Sequence, residues 1–552
     1  MPNFIPIIDL FAGPGGLSEG FSSYSLGKQK YQPFKIGASV EMDPHAHKTL
    51  ELRSFFHEFS SATVPDEYYQ YLRQEISREK LFSKYPKQAA IAQKKAIRAT
   101  LGSDDDSYIY QRIKEVLSGY EGKPWVLIGG PPCQAYSTIG RSRRQANGAG
   151  HDIQQKDKRN FLYIEYLRII AKFSPTIFVM ENVKGMLSAE INGEKIVHKI
   201  FKDLRNPRKA ITENDEPSEN TKLEYHIYSL VTQAESDTKL NPSDYLIRSE
   251  EFGIPQARHR VILLGIRSDI DIKPDILKPK QNKVSVKELL SDLPPLRSFF
   301  TKTKDIEREW FNSIKSITNQ DWFENYQPIL RNGRKIEPER LKAQMIDALS
   351  RLQSNLGTGG EFIKTAVSPR YRPGWFLDRR IGGVVNHAAR GHMREDLWRY
   401  FFSSVYAEIY GCSPRMKDFP KQLLPNHKNV QTQAAIDRGD FGDRFRVQDA
   451  DHPAATITCH ISKDGHYSIH YDPSQCRSLT VREAARLQTF PDNYYFEGPR
   501  TQQYHQVGNA VPPLLAIQIA DVVFNVIKKT KRKRTRVSQK LRKHISLPVM
   551  NL

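Results

Sequence analysis

The sequence predicts an α/β fold: a mainly parallel sheet with helices on both faces, joined to a smaller, irregular second domain. Three observations predict it. Apolar runs of strand length alternate with helical stretches, glycine, proline or acidic turns follow the runs, and one long middle block lacks the alternation.

Residues 4–10 (FIPIIDL) are the first strand candidate; Gly13-Pro14-Gly15-Gly16 ends the run and residues 17–24 start a helix. The second apolar run, 34–40, ends in Glu41-Met42-Asp43. The third, 125–128, leads into Gly129-Gly130-Pro131-Pro132-Cys133. Residues 160–173 read as an amphipathic helix, followed by a strand at 176–180 and then Glu181-Asn182-Val183; 261–266 is a further strand. Three stretches depart from this rhythm. Residues 57–121 are charged and helical in composition and read as an insertion, whereas 190–240 are polar and read as a surface excursion. Residues 268–452 are long enough for a second domain. The sheet-like pattern is expected to resume near Leu479 and to end with an apolar helix over 514–527. Residues 1–267 and 453–527 thus form one body, interrupted by 268–452. In the final segment, 528–552, positions 528–543 hold ten Lys and Arg and no acid, which reads as a solvated, disordered tail.

The 552 residues carry 83 Lys+Arg against 62 Asp+Glu, a formal net charge of +21. A hydrophobic content of 39% excludes wholesale disorder. No run of about 18 apolar residues is present, so no membrane span is expected. Residues 1–9 lack a basic n-region, so no signal peptide is expected either. Cys133, Cys412, Cys459 and Cys476 lie far apart, against a disulfide scaffold or a zinc cluster and in favour of a reducing cytoplasm. The histidines lack metal-ligand spacing, so no metal is expected. The positive charge suits a polyanionic partner, whose condensed counterions Lys and Arg displace.

Residues 9–16 (DLFAGPGG) lie at a strand-to-helix turn, where glycines admit a ligand close to the backbone and the helix offers free N–H groups. The spacing is not the G-x-G-x-x-G of dinucleotide enzymes. Glu41 ends the next strand, where α/β nucleotide sites place a carboxylate on a ribose hydroxyl pair. Cys133 follows two stiffening prolines at the carboxyl end of a buried strand. Gly140, Arg141, Arg143 and Arg144 come next, and the arginine charges favour a thiolate.

At these residues the chain resembles the C5-cytosine DNA methyltransferases. Six stretches match in the family's order: residues 9–16, Pro131-Pro132-Cys133-Gln134, Glu181-Asn182-Val183, Gln256-Ala257-Arg258-His259-Arg260, 477–492 (RSLTVREAARLQTFPD) and 506–513 (QVGNAVPP). The resemblance implies a Rossmann-like domain that binds S-adenosylmethionine, with a target-recognition domain at 268–452. It implies Cys133 as the nucleophile that adds to cytosine C6, making C5 nucleophilic enough to take the methyl. Glu181 then matches the acid at N3 and the exocyclic amine, and Arg260 the group that holds O2. Arg258, Gln134 and Ser137 are placed in the same catalytic group, with Arg258 and Gln256 in support. Asp9, Phe11, Ala12, Gly13, Gly15, Gly16, Leu17, Glu41, Met42, Pro131, Asn509, Ala510 and Val511 form the cofactor set.

The chemistry requires base flipping, and residues 136–158 suit a loop closing over the target, with Asp157 capping the helix after it. The family's adenine-contacting acid is left open among Asp104, Asp105, Asp106 and other groups. Arg370-Tyr371-Arg372 and residues 386–392 (NHAARGH) are candidate DNA contacts. The expected partners are double-stranded DNA and a cognate restriction endonuclease or other phage-defence proteins. The expected state is a monomer in the cytoplasm, at the nucleoid and off the membrane. A tRNA cytosine-5 methyltransferase of the same fold is the nearest alternative, set against the large middle block. A DNA-binding protein with a decayed active site is another, set against intact Cys133, Glu181 and Arg260. Amino-group methyltransferases are excluded, because they place an aromatic residue, not a thiol, after the two prolines.

Overall fold

The computed structural model describes residues 4–27, 31–103, 105–132, 162–191, 194–212, 223–234, 239–301, 305–326, 330–331, 334–335, 337–426 and 442–545. Its centre is an eight-stranded sheet of β1 (Ile5–Leu10), β2 (Phe34–Glu41), β3 (Ala96–Arg98), β4 (Val126–Gly129), β5 (Ile177–Val183), β6 (Tyr225–Tyr228), β7 (Leu246–Arg248) and β8 (His259–Arg267). The order is β3-β2-β1-β4-β5-β8-β6, with β7 also paired to β8. The first five strands are mutually parallel; β8 runs antiparallel to β5, β6 and β7. The strand order reverses between β1 and β4, which opens a crevice at their carboxyl ends. Because β8 is antiparallel, its first residues reach that same edge, with Arg260 opposite Val183 and Ile262 opposite Glu181.

Alternating side chains feed two cores, as a period of two requires. On one face Ile8, Leu10, Leu127, Phe178 and Met180 pack with residues of α3 (Leu162–Phe173) and of the helix Asp106–Leu117. On the other, Ile5, Ile7, Val126, Ile128 and Val179 pack with α1 (Gly16–Ser23) and α6 (Pro513–Ile545). Each fully buried aliphatic side chain contributes about 1.5–3 kcal/mol. Between β2 and the insertion lies α2 (Pro44–Phe56), whose N-cap Asp43 accepts from the His45 and Ala46 amides at 2.9 and 2.8 Å.

Several segments differ from the sequence reading. Only the first part of 57–121 is an insertion, with helices Asp66–Leu72, Arg78–Lys84 and Pro86–Lys95; the rest supplies edge strand β3 and the core helix Asp106–Leu117. Within 190–240, β6 joins the sheet, and Val197, Ile200 and Leu204 of helix Ile196–Arg205 are buried. Polar composition concealed them because their apolar residues are few and widely spaced. No sheet strand follows Leu479 among the described residues; the chain forms α4 (Val481–Leu487), α5 (Arg500–Asn509) and α6 instead. The segment 528–545, read as disordered, continues α6 as helix. Lys and Arg are good helix formers and no breaker intervenes. Part of 500–533 is long and apolar enough to cross a membrane, at a mean hydropathy of 1.8, yet 72% of that stretch is buried inside the protein.

The middle block has a helical core of its own, with Trp310, Ile314, Met345, Phe401 and Phe402 on helices Glu307–Lys315, Pro338–Ser350 and Arg394–Tyr410. Ile469 and Cys476 join it from beyond 452. Residues 386–392, expected to face DNA, are largely interior. Asn386 bonds Glu361 and Phe496, His387 bonds Thr480 and the Pro294 carbonyl, and Arg390 donates to the Ile461 and Ser462 carbonyls. These polar groups are satisfied within the protein, which removes them as free contacts. Of the other patch, Tyr371 donates to the Gly253 carbonyl at 2.6 Å.

Burial pushes His387 and His470 down to about 4 from an ordinary 6.5, and it also lowers His392 and His466. These rings are therefore neutral in the fold, whereas the unfolded chain takes up protons below 6.5. Their contribution is present above pH 6.5 and is lost as pH falls toward 4, on the order of 3 kcal/mol for each of the first two. Urea unfolding at pH 6.5 and pH 4 is expected to show a clear fall in midpoint; equal midpoints would contradict this account.

Candidate active site

The site is built at the carboxyl edge of the sheet. At the β1–α1 turn, Phe11, Gly13 and Gly15 all have positive φ (56, 58 and 96°). Gly15 has no room for a side chain: a Cβ would lie 2.8 Å from Leu50 Cδ2 and 3.1 Å from the Tyr494 hydroxyl. A Cβ on Gly16 would lie 2.1 Å from the Val511 carbonyl oxygen. The segment Asn509-Ala510-Val511 therefore closes against the first turn, with Ala510 and Val511 buried and Asn509 exposed. Ala12 donates to the Val40 carbonyl at 3.1 Å, and Leu17 faces the core. Tyr494, for which the sequence offered no signal, donates to the Pro14 carbonyl and braces the turn.

Two carboxylates face this turn. Glu41 accepts from the Gly13 amide through Oε2 and from the Asp43 amide through Oε1, both at 2.8 Å. Burial raises its carboxyl, against those bonds. Asp9 is fully buried; its Oδ2 accepts from the Ser18 hydroxyl and its Oδ1 has no hydrogen-bond partner. Burial pushes Asp9 up to about 7, partly offset by Ser18 and reinforced by Glu41. Met42, beside Glu41, is 59% exposed. An orphaned carboxylate oxygen, a second carboxylate at a strand end and a glycine turn that excludes side chains fit a ribose-bearing, cationic ligand. The acids after β3 act locally. Asp105 accepts from the Thr100 amide at 3.1 Å and Asp106 from the Gly102 amide at 2.9 Å, while Asp104 lies outside the described residues.

Across the switch point, β4 ends at Gly129 and leads into Gly130-Pro131. A Cβ on Gly130 would lie 2.9 Å from Glu181 Oε2, so the bare backbone lets the carboxylate sit against it. Asn182 Nδ2 donates to the Pro131 carbonyl at 3.2 Å, fixing the strand end beside which Cys133 is attached through Pro132. Arg260 Nε lies 2.9 Å from Glu181 Oε1, in a pair that is little exposed. Burial lowers the Arg260 guanidinium, partly offset by Glu181. Cys133, Gln134, Ser137, Asp157 and the 136–158 loop lie outside the described residues.

Arg258 is buried in the protein and spends its guanidinium on backbone carbonyls. Its Nη1 donates to the Ile457 carbonyl at 2.9 Å and its Nη2 to the Gly508 carbonyl at 3.0 Å, which ties β8 to the closing segment. Burial and the neighbouring Arg260 hold it well below the ordinary arginine value. Gln256 does similar work, donating to the Leu487 carbonyl and accepting from the Ile457 amide. Both side chains are thus taken up by residues 457, 487 and 508 beyond the middle block.

Residues 109–207 and 231–525 match the family model described as C-5 cytosine-specific DNA methylase. The type II methyltransferase M.Bpa9945I of Bacillus paralicheniformis is 32% identical over 541 residues, which cover 94% of this chain and 99% of that one. M.DdeI of Desulfomicrobium norvegicum is 25% identical, covering 93% of this chain and 87% of that one. The DNA (cytosine-5-)-methyltransferase M.ApeKI of Aeropyrum pernix is 26% identical, covering 74% and 83%. The family model matches well over half of the chain and one relative is 32% identical along nearly all of it, so the chain belongs to the C-5 cytosine-specific DNA methylase family.

Proposed function

We propose that this DNA cytosine-5 methylase acts on a flipped cytosine in one short duplex sequence, through a covalent bond between Cys133 Sγ and C6. S-adenosylmethionine, when bound, supplies an electrophilic sulfonium methyl. Glu41 and the 9–16 turn hold its adenosyl and methionine parts, with Met42, Pro131 and residues 509–511 closing around them. Cys133 adds to C6 as thiolate, protonated Glu181 donates its proton to N3 as charge develops there, and Arg260 holds O2. After transfer water takes the C5 proton, the electrons of that C–H bond re-form the C5–C6 double bond, and Cys133 leaves as thiolate. The observation that carries the reading is the Glu181–Arg260 pair, 2.9 Å apart, set against Gly130-Pro131 and next to the cofactor turn.

The middle block is the target-recognition domain in this reading, and the biological setting is restriction-modification or a related phage defence, beside a cognate nuclease. The protein works as a monomer in the cytoplasm. Bisulfite sequencing of DNA from cells expressing it is the test. Every copy of one short motif is expected to read as 5-methylcytosine, and unmethylated reads throughout would overturn the proposal.

A further inference from the structure

Helix α6 crosses the molecule from one edge of the sheet to the other. It starts beside the cofactor turn, where a Cβ on Gly20 would lie 2.6 Å from the Pro513 carbonyl oxygen. Leu515, Ile519, Val523 and Val526 then run across the sheet face. Its position 527 is about 22 Å further on, at 1.5 Å per residue. There Ile527, Thr530 and Lys531 line a cleft of about 480 Å³ with Trp125, which precedes β4, and Arg267, which ends β8. This is the edge opposite the active site. Lys529 pairs with Asp275 at 3.0 Å and Lys533 with Asp271 at 2.6 Å, anchoring the helix there. The same cleft is lined by Lys114 and Lys123, against one acid, Glu121.

From 528 the helix continues for about another 27 Å, and the sequence places ten Lys and Arg and no acid on it. That is about one positive charge per 2.7 Å, opposite in sign to duplex DNA's roughly one phosphate per 1.7 Å and of the same order. A lipid surface is the poorer fit. Residues 528–545 contain Val537, Leu541 and Ile545 as their only aliphatic residues and no Phe, Tyr or Trp, too little for an interfacial helix.

We propose that the far end of α6 and the basic cleft beneath it bind the phosphate backbone of a second DNA segment, while the opposite edge holds the target. The proposal rests on the DNA-methylation reading only for the identity of the first duplex. The test uses the full chain and a variant carrying Arg532→Gln, Arg534→Gln, Arg536→Gln, Lys540→Gln, Arg542→Gln and Lys543→Gln, which keeps helix-forming residues. The wild type, held on a bead-bound duplex, is expected to retain a second, labelled, target-free duplex. The variant is expected to hold that duplex roughly tenfold less well or worse, with its log–log salt slope reduced by about 0.9 for each phosphate no longer neutralised. Methylation of a short target duplex is expected to keep its kcat and KM. Undiminished retention by the variant would overturn the proposal. So would a parallel rise in KM, which would put the helix on the target duplex, or tail-dependent binding to phosphatidylserine vesicles but not to DNA. A protein that bridges two duplexes through this helix yet methylates no cytosine would uphold the surface and reject the activity.

Discussion

Cys133→Ala is expected to abolish methyl transfer, with a loss on the order of 10⁴–10⁶ in rate, because no other group on the chain takes over addition to C6. The proposed cofactor site is made by the ends of β1 and β2, Pro131 and residues 509–511, none of which the substitution alters, so S-adenosylmethionine binding is expected to survive. The two readouts are labelled-methyl transfer to DNA and calorimetric titration of the cofactor. Residual turnover near the wild-type rate would exclude the covalent route. Loss of cofactor binding would show that the Cys133 side chain itself shapes the cofactor pocket.

The second large effect lies in the packing around α4. Arg477 and Glu483 form a fully buried, two-pronged pair, with both N–O distances at 2.7 Å, and the Glu483 carboxylate also accepts from the Thr480 amide at 2.7 Å. Burial alone would raise the Glu483 carboxyl; the charge and hydrogen bonds of Arg477 outweigh it and hold it well below the usual range. Arg486 joins Asp292 and Asp492 and donates to the Leu289 carbonyl. Arg482 donates to the carbonyls of Val385, Pro491 and Tyr494, and burial brings it down to about 10. Three interior arginines on or just before one short helix thus join residues 289–296 and 385 to the catalytic body. Glu483→Ala leaves the Arg477 charge buried without its partner and is expected to cost about 3–5 kcal/mol. Replacing both members, Arg477→Leu with Glu483→Leu, is expected to cost much less, because no unpaired charge remains. Denaturant unfolding of the two variants checks this. Equal losses would show that the pair matters for its volume rather than its charge.

The same helix shows where the sequence was legible and where it was not. Motif 477–492 stood out by resemblance, and the structure gives it a physical task that composition alone could not reveal: its arginines satisfy backbone carbonyls from distant segments. The strands β1, β2, β4 and β5 were readable because buried parallel strands are nearly continuous apolar runs, and antiparallel β8 was readable because both of its faces are buried as well. β3 and β6 are three and four residues long and sit in charged surroundings, so no period-two signal rises above the background. The motifs singled out Glu181 and Arg260, and the antiparallel register of β8 explains why residues so far apart in the chain meet. Arg258, grouped with them by its neighbours, turns inward because its guanidinium completes two backbone carbonyls. Residues 386–392 misled for the same reason: a basic and histidine-rich segment looks like a DNA contact until its hydrogen bonds are traced into the interior.

The covalent step is the central claim, and a duplex in which the target cytosine carries fluorine at C5 tests it most directly. Fluorine cannot leave as the proton does, so the adduct formed on methyl transfer cannot be eliminated. The account predicts a protein–DNA complex that survives denaturation, with the nucleotide mapped by mass spectrometry to the peptide that contains Cys133. Methyl transfer without such a complex, or a complex mapped to Cys412, Cys459 or Cys476, would contradict it.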